Sequence, residues 1–263
     1  MAVVNRTPDS FFDRGTTREF GPALDAASRA VADGAEIVDI GGVKAGPGDE
    51  VTPAAEIDRV AGLVAAVRER HPDVVISVDT WRAEVAEVVA QAGADLLNDA
   101  WGGADPRLAG VAARHRIGLV CSHAGGLPPR TRPHRPAYGD VVRAVTGYVV
   151  ERAERAVASG VPPESVLIDP AHDFGKSTWQ SLELTRRLDE LTGTGWPVLV
   201  VVADKDFIGE TLGLPVGQRA EGTVASLAVC ACLGARVFRV HDVPAAREAL
   251  AAVASLRGTA RAR

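Results

Sequence analysis

Aromatic residues are scarce, cysteines number three, and positive charge is in deficit; each shortage excludes something. Aromatics make up 5% of the 263 residues, so a core has to be built from Val, Ala, Leu and Ile, the composition of strands buried in a parallel sheet. Cys121, Cys230 and Cys232 make no disulfide framework. Cys230 and Cys232 stand two apart in an apparent helix and face different ways, which favours plain thiols over a metal or redox pair. Lys and Arg total 29 against 34 Asp and Glu, a net charge of −5, which speaks against a nucleic-acid partner because phosphate backbones call for a basic face. No apolar run approaches the ~20 residues that span a bilayer. The start is not signal-like, since Ala2-Val3-Val4 runs straight into polar Asn5, and a cytoplasmic location is expected. The six histidines contain no His-x-His and no helical His-x3-His pair, which argues against a metal-dependent amidohydrolase barrel.

What is present is alternation. With 46% hydrophobic residues the chain can bury a sizeable core, and its length is close to the roughly 250 residues of one (β/α)8 TIM barrel. Short apolar strands are expected at Val3–Asn5, Glu36–Gly41, Val74–Asp79, Asp95–Asn98, Ile117–His123, Val166–Asp169, Val198–Ala203 and Arg236–His241. Helical patterns fill the gaps: Phe20–Asp33, Ala54–Arg70, Arg82–Gln91, Pro106–His115, Tyr138–Ser159, Leu182–Leu191, Gly222–Leu233 and Ala245–Leu256. Gly34-Ala35, Gly93-Ala94 and Gly234-Ala235 recur between a helix and the following strand, where glycine ends a helix without steric cost. The expectation is an α/β fold, a (β/α)8 TIM barrel formed by residues 1–263 as one domain. An open doubly wound sheet would explain the alternation but not the strand ends.

Those ends are polar: Asn5, Asp39, Asp79, Asn98-Asp99, His123, Asp169, Asp204-Lys205 and His241. A closed barrel makes such groups converge at its C-terminal mouth. Long loops rich in Gly, Pro and charge follow strands one, two and five, at 6–17, 42–52 and 124–137, as expected of segments that cover a substrate. Carboxylates at Asp79 and Asp169 need donors, and a planar heterocycle with an N–C(NH2)–N edge offers two parallel N–H groups. Asn98 complements a mixed donor–acceptor edge, Lys205 can donate to a ring carbonyl or nitrogen, and Phe174 can stack on the ring. That set describes a pterin pocket. Asn5, Arg239 and His241 fall near strands one and eight and suit a phosphate or diphosphate. Asn5 adds a hard oxygen that Mg2+ can use while keeping most of its waters.

Taken together, Val4-Asn5-Arg6-Thr7-Pro8-Asp9-Ser10-Phe11, Asp39-Ile40-Gly41-Gly42, Ser77-Val78-Asp79-Thr80, Asn98-Asp99, Asp169-Pro170 with Phe174-Gly175-Lys176, Lys205 with Phe207-Ile208-Gly209, and Arg239-Val240-His241-Asp242 resemble the dihydropteroate synthase family over essentially the whole chain. The resemblance implies that Asp79, Asn98, Asp169 and Lys205 hold the pterin with Phe174 lining its pocket. It further implies that Asn5 ligates Mg2+, that Arg239 and His241 bind diphosphate, and that the chain forms a homodimer. The family joins 6-hydroxymethyl-7,8-dihydropterin diphosphate to 4-aminobenzoate, positioning and leaving-group stabilisation supplying most of the catalysis.

The chain also departs from the family. The second loop reads Val43-Lys44-Ala45-Gly46-Pro47-Gly48 where the family has Glu-Ser-Thr-Arg-Pro-Gly, so Ala45 and Gly46 lack the hydroxyl and guanidinium used near the diphosphate and the second substrate. Strand seven ends Ala203-Asp204-Lys205-Asp206 in place of Ser-Arg-Lys-Ser. Asp204 and Asp206 are expected to repel the carboxylate of aminobenzoate, since like charges ~4 Å apart cost about 1 kcal/mol in water and more near protein. Between Pro170 and Phe174, Ala171-His172-Asp173 replaces small residues. The pattern resembles the divergent second family copy of some actinobacteria, with pterin binding kept and condensation weak or absent. Two alternatives stand beside it, a non-catalytic pterin-binding or regulatory paralogue and a methyltetrahydrofolate-dependent methyltransferase; Arg239 and His241 weigh against the latter.

Some signals are set aside. Gly175-Lys176-Ser177 lacks the earlier glycine of a phosphate loop, because position 170 is Pro170. Arg130, Arg132 and Arg135 are expected in a solvated loop rather than an anion-binding lid. Glu183, Arg186, Arg187 and Glu190 fit a charged outer helix face. His123 is balanced between a structural strand-end residue and a ligand contact.

Overall fold

A computed structural model describes residues 1–7, 17, 19–126, 128–130 and 136–259. Pro8, Asp9, Ser10 and Phe11 of the first motif, and Arg132, His134 and Arg135, lie outside the described residues. Strands β1 Ala2–Asn5, β2 Ile37–Gly41, β3 Val75–Asp79, β4 Leu96–Asp99, β5 Gly118–Ser122 and β6 Val166–Asp169 pair in sequence order, all parallel. β7 Leu199–Val200 and β8 Val237–Phe238 form a second parallel pair. Parallel bridges Ile168–Val198 and Ala2–Val240 join the two sheets at both edges, and Val240 donates its N–H to the Met1 carbonyl at 2.9 Å. The ring is closed: the fold is the expected (β/α)8 barrel. β7 and β8 are shorter than expected from Val198–Ala203 and Arg236–His241, although backbone bonding continues beyond β8, the Arg239 N–H donating to the Val200 carbonyl at 3.0 Å.

Helices α1 Phe20–Ala32, α2 Pro53–Arg70, α3 Ala83–Gln91, α4 Leu108–His115, α5 Val141–Ala158, α6 Thr178–Arg186, α7 Leu188–Thr192, α8 Asp206–Leu212, α9 Ala220–Cys232 and α10 Val243–Leu256 surround the strands. Several starts carry side-chain caps: Thr52 for α2, Asp140 for α5, Asp242 for α10, and a reciprocal Ser177–Gln180 capping box for α6, each satisfying an otherwise orphaned N–H. The expected helix Leu182–Leu191 divides at Arg187, whose backbone leaves the helical region (φ −110°, ψ 28°). The charged face expected there centres on that residue, since Arg187 pairs with Glu183, Glu190 and Asp140. Helix α8 was not foreseen.

Strand side chains alternate between two environments, as a period of two requires. Val4, Val38, Ile40, Ile76, Val78, Leu97, Leu119, Ile168, Val198, Val200 and Val240 face outward into one shared core with the helices. The other phase faces inward, where Leu96, Val120 and Leu199 pack with Met1, Leu167, Val201 and Val237. In that inner phase Asn5, Asp39, Asp79, Asn98, Asp169 and Arg239 follow toward the C-terminal mouth. Asp99 belongs to the outward phase, so the expectation that every polar strand end converges fails there. It is fully buried against Arg152 of α5 (3.0 Å) and accepts the Gly103 N–H (2.7 Å). Burial pushes its carboxyl up to about 6, against Arg152.

Candidate functional site

Asp39 is the hub of the inner polar layer. Its carboxylate is fully buried and accepts from Ser77 Oγ at 2.6 Å, Asn98 Nδ2 at 3.2 Å and Arg239 Nε at 2.6 Å. Arg239 Nη2 reaches on to Asp79 Oδ2 at 3.3 Å. Asn98, Asp39, Arg239 and Asp79 thus form one chain of contacts, and the residue expected near the diphosphate touches the carboxylate expected to hold the pterin. In register, Asn5 neighbours Gly41, Gly41 neighbours Asp79, and Asp79 neighbours Asn98. A Cβ on Gly41 would stand 2.8 Å from Asn5 Oδ1, so glycine there leaves room for the amide of Asn5. Burial pushes the Asp79 carboxyl up to about 7, with Arg239 opposing the rise. Asp39 was noted in the sequence only as a polar strand end. Its inward phase, two residues before Gly41, was the available signal.

Asp169 closes β6, and Phe174 and Lys205 come from the adjoining β6 and β7 loops. Asp169 accepts the Ala171 N–H at 2.7 Å, and burial raises its carboxyl to about 6, against Ala171, Lys205 and Lys176. Lys205 Nζ sits 4.9 Å from the centroid of the Phe174 ring, within cation–π reach, and burial lowers its pKa. Phe174 also meets Trp101 (5.4 Å between centroids), which meets Trp81 (6.3 Å). Trp81 carries the Arg82 guanidinium over its ring at 4.7 Å, and Arg82 pairs with buried Glu56 at 2.7 Å. These tryptophans were missed in the sequence, where an aromatic after a strand end has no distinctive spacing.

The β6 loop is pinned from within. Lys176 Nζ donates to the carbonyls of Phe174 (2.7 Å), His123 (2.9 Å) and Ala171 (3.0 Å), and Ser177 caps α6. The set-aside phosphate-loop signal therefore resolves into a buried lysine and a helix cap. Burial lowers the Lys176 ammonium to about 7. His123 is buried, stands edge-on to Tyr148 at 5.1 Å, and is pushed by burial down to about 3, which fits a neutral structural residue.

The β7 loop corrects the expected electrostatics. Asp204 does not stand as a bare carboxylate beside Lys205: its two oxygens accept the Gly217 N–H at 3.1 and 3.2 Å, and Arg219 lies 3.8 Å away. Arg219, itself buried, also pairs with Asp206 at 3.0 Å. Two added negative charges are thus partly neutralised by one arginine whose role was not anticipated. Across the mouth, Arg130 donates to the carbonyls of Gly46 (3.3 Å) and Asp49. It ties the β5 loop to the β2 loop rather than offering its charge to an anion.

A cleft of about 440 Å³ opens between these loops, within the range of small-ligand sites. Asn5, Asp79, Phe174, Lys205, Arg239 and His241 line it, together with Lys44, Ala45, Gly46, Asp204 and Asp206. Asn98 and Asp169 are not part of the open lining; both are buried in the wall behind it. Among the described residues no three His, Cys, Asp or Glu side chains gather as a metal site, and no helix is long and apolar enough to cross a membrane.

The class that this barrel and its mouth define is a pterin-binding one. The family described as pterin binding enzyme matches residues 1–241, and the chain belongs to it, among its dihydropteroate synthase-like members. "Inactive dihydropteroate synthase 2" of Mycobacterium leprae is 55% identical over 263 residues, covering 98% of this chain and 90% of that protein. The dihydropteroate synthase of Bacillus subtilis is 38% identical, covering 92% and 83%. Among solved structures, the Yersinia pestis dihydropteroate synthase with a sulfonamide drug superposes with a TM-score of 0.92 at 36% identity, covering 99% of this chain and 94% of that one. The Thermus thermophilus enzyme in complex with 4-aminobenzoate gives 0.87 at 39%, covering 97% and 93%.

Proposed function

We propose that this protein binds a pterin diphosphate in the mouth of its barrel and condenses it with 4-aminobenzoate weakly or not at all. The carrying observation is the interior network in which Arg239 joins buried Asp39 to Asp79 at the wall of the cleft. Asp79, Asn98 and Asp169 supply the carboxylates and amide that recognise the pterin edge, while Lys205 and Phe174 flank its ring. Arg239 and His241 face the diphosphate and stabilise it as the pterin methylene–oxygen bond breaks.

Mg2+ suits this mouth through a single hard oxygen, Asn5 Oδ1, which Gly41 leaves unobstructed. Asn5 would be the residue that holds the ion, which would supply charge compensation for the diphosphate. Weak condensation follows from Ala45, Gly46, Asp204 and Asp206, which offer an anionic acceptor neither a hydroxyl nor a free guanidinium; the relatives named inactive support it. We further infer a cytoplasmic homodimer.

Calorimetry of the purified protein with 6-hydroxymethyl-7,8-dihydropterin diphosphate should show binding that weakens when Mg2+ is chelated. Diphosphate release on adding 4-aminobenzoate should be absent, or about 100-fold slower than in an active relative. Turnover at the active relative's rate would reject the impaired reading; failure to bind the pterin would reject the whole.

A further inference from the structure

An anionic acceptor entering this cleft on its β6–β7 side needs N–H donors or a cation. The backbone N–H groups of Asp206 and Phe207 both point at Asp173 Oδ2, at 2.7 and 3.4 Å. The Gly217 N–H is held by Asp204. Arg219 is turned onto Asp206, the Asp204 carbonyl (2.9 Å) and the Leu214 carbonyl (3.2 Å). Lys205 stands over Phe174. The backbone and arginine donors are engaged by the chain itself, Lys205 is the cation assigned above to the pterin, and Asp173 lines the cleft where two of the N–H groups converge.

We propose that Asp173 determines acceptor specificity: its carboxylate stands on the donors that a ligand carboxylate would use, so the cleft admits neutral or positively charged amines and excludes carboxylates. The inference rests on this face of the cleft being the acceptor side, as in the function proposed above. Asp173 is held there deliberately. Its backbone sits in the left-handed region (φ 68°), costly for a residue with a Cβ, and Ser181 Oγ both accepts its N–H and donates to its Oδ1, each at 3.1 Å. Competing for the same two N–H groups, a ligand carboxylate would have to displace one like charge and approach two more, Asp204 and Asp206.

The test compares 4-aminobenzoate with its neutral counterpart 4-aminobenzamide on the full chain, by calorimetry. Asp173→Gly suits the left-handed backbone. It should tighten aminobenzoate about tenfold or more, as gaining a charge-assisted hydrogen bond implies, while moving the amide less than about twofold on the same scale. Asp173→Asn keeps the shape and an acceptor oxygen, and should give a smaller gain confined to the benzoate; it carries the test if the glycine variant does not fold. An unchanged benzoate-to-amide ratio, an equal gain for both compounds, or no binding of either by any form overturns the proposal. Pterin diphosphate is titrated separately into the same samples. Its failure to bind would overturn the function proposed above and leave the ratio to judge Asp173.

Discussion

At the scale of single residues, the cleft is governed by carboxylates that burial makes hard to ionise. Asp79 is the clearest case, its pKa raised to about 7. A raised carboxyl binds its proton more tightly folded than unfolded, so its ionisation costs stability as pH climbs from the unfolded value of about 4 towards 7, and nothing further above that. Ligand binding has the opposite sense. A protonated Asp79 accepts poorly from the paired N–H groups of a pterin, so affinity should fall by up to about tenfold per pH unit below 7. Calorimetry between pH 5.5 and 8 checks this, and Asp79→Asn should bind more weakly and lose the dependence centred near pH 7, keeping only the fall near pH 6 that Asp169 brings. Asp79, Asn98 and Asp169 were legible as candidates because each is a polar residue closing an apolar strand. Asp39 was not, because its importance lies in contacts from strands 38 to 200 residues away.

At the scale of elements, the β6 loop decides the shape of the mouth. It carries Ala171 and Asp173 at positive φ, and its rigidity comes from Lys176, which an apolar side chain would remove from the His123 and Phe174 carbonyls, while the Ala171 carbonyl would keep the Phe174 N–H at 3.1 Å. Lys176→Met should lower stability by roughly 1–3 kcal/mol, read by thermal or urea unfolding, and should weaken pterin binding because Phe174 loses its anchor. Seven of the eight expected helices form with ends shifted by a few residues; the remaining one divides at Arg187. Helix α8 was hidden because Asp206 to Leu212 follows a strand end so closely that its charged start read as part of the site. The helix is capped from outside, by Asp173, and no local pattern announces a cap borrowed from 33 residues away.

At the scale of the whole molecule, Trp179, Leu212, Val216 and Val229 are exposed on or beside α6, α8 and α9, which pack on one another. Exposed large apolar side chains mark candidate contact surfaces; Val216 also lines the cleft, and Trp179, Leu212 and Val229 suit the inferred homodimer. Sedimentation velocity should find a dimer, and Trp179→Glu should shift it to monomer without loss of helical circular dichroism. A wild-type monomer would remove that inference. The sequence by itself determined the barrel, because alternating apolar strands and amphipathic helices report burial through local periodicity, and it determined which strand ends could carry chemistry. Only the tertiary structure decided what those ends touch: that Arg239 serves Asp39 and Asp79, that Arg219 offsets Asp204 and Asp206, and that Asp173 caps the helix of the neighbouring loop. Charge pairing depends on distance in space, and along the chain these partners are separated by whole elements.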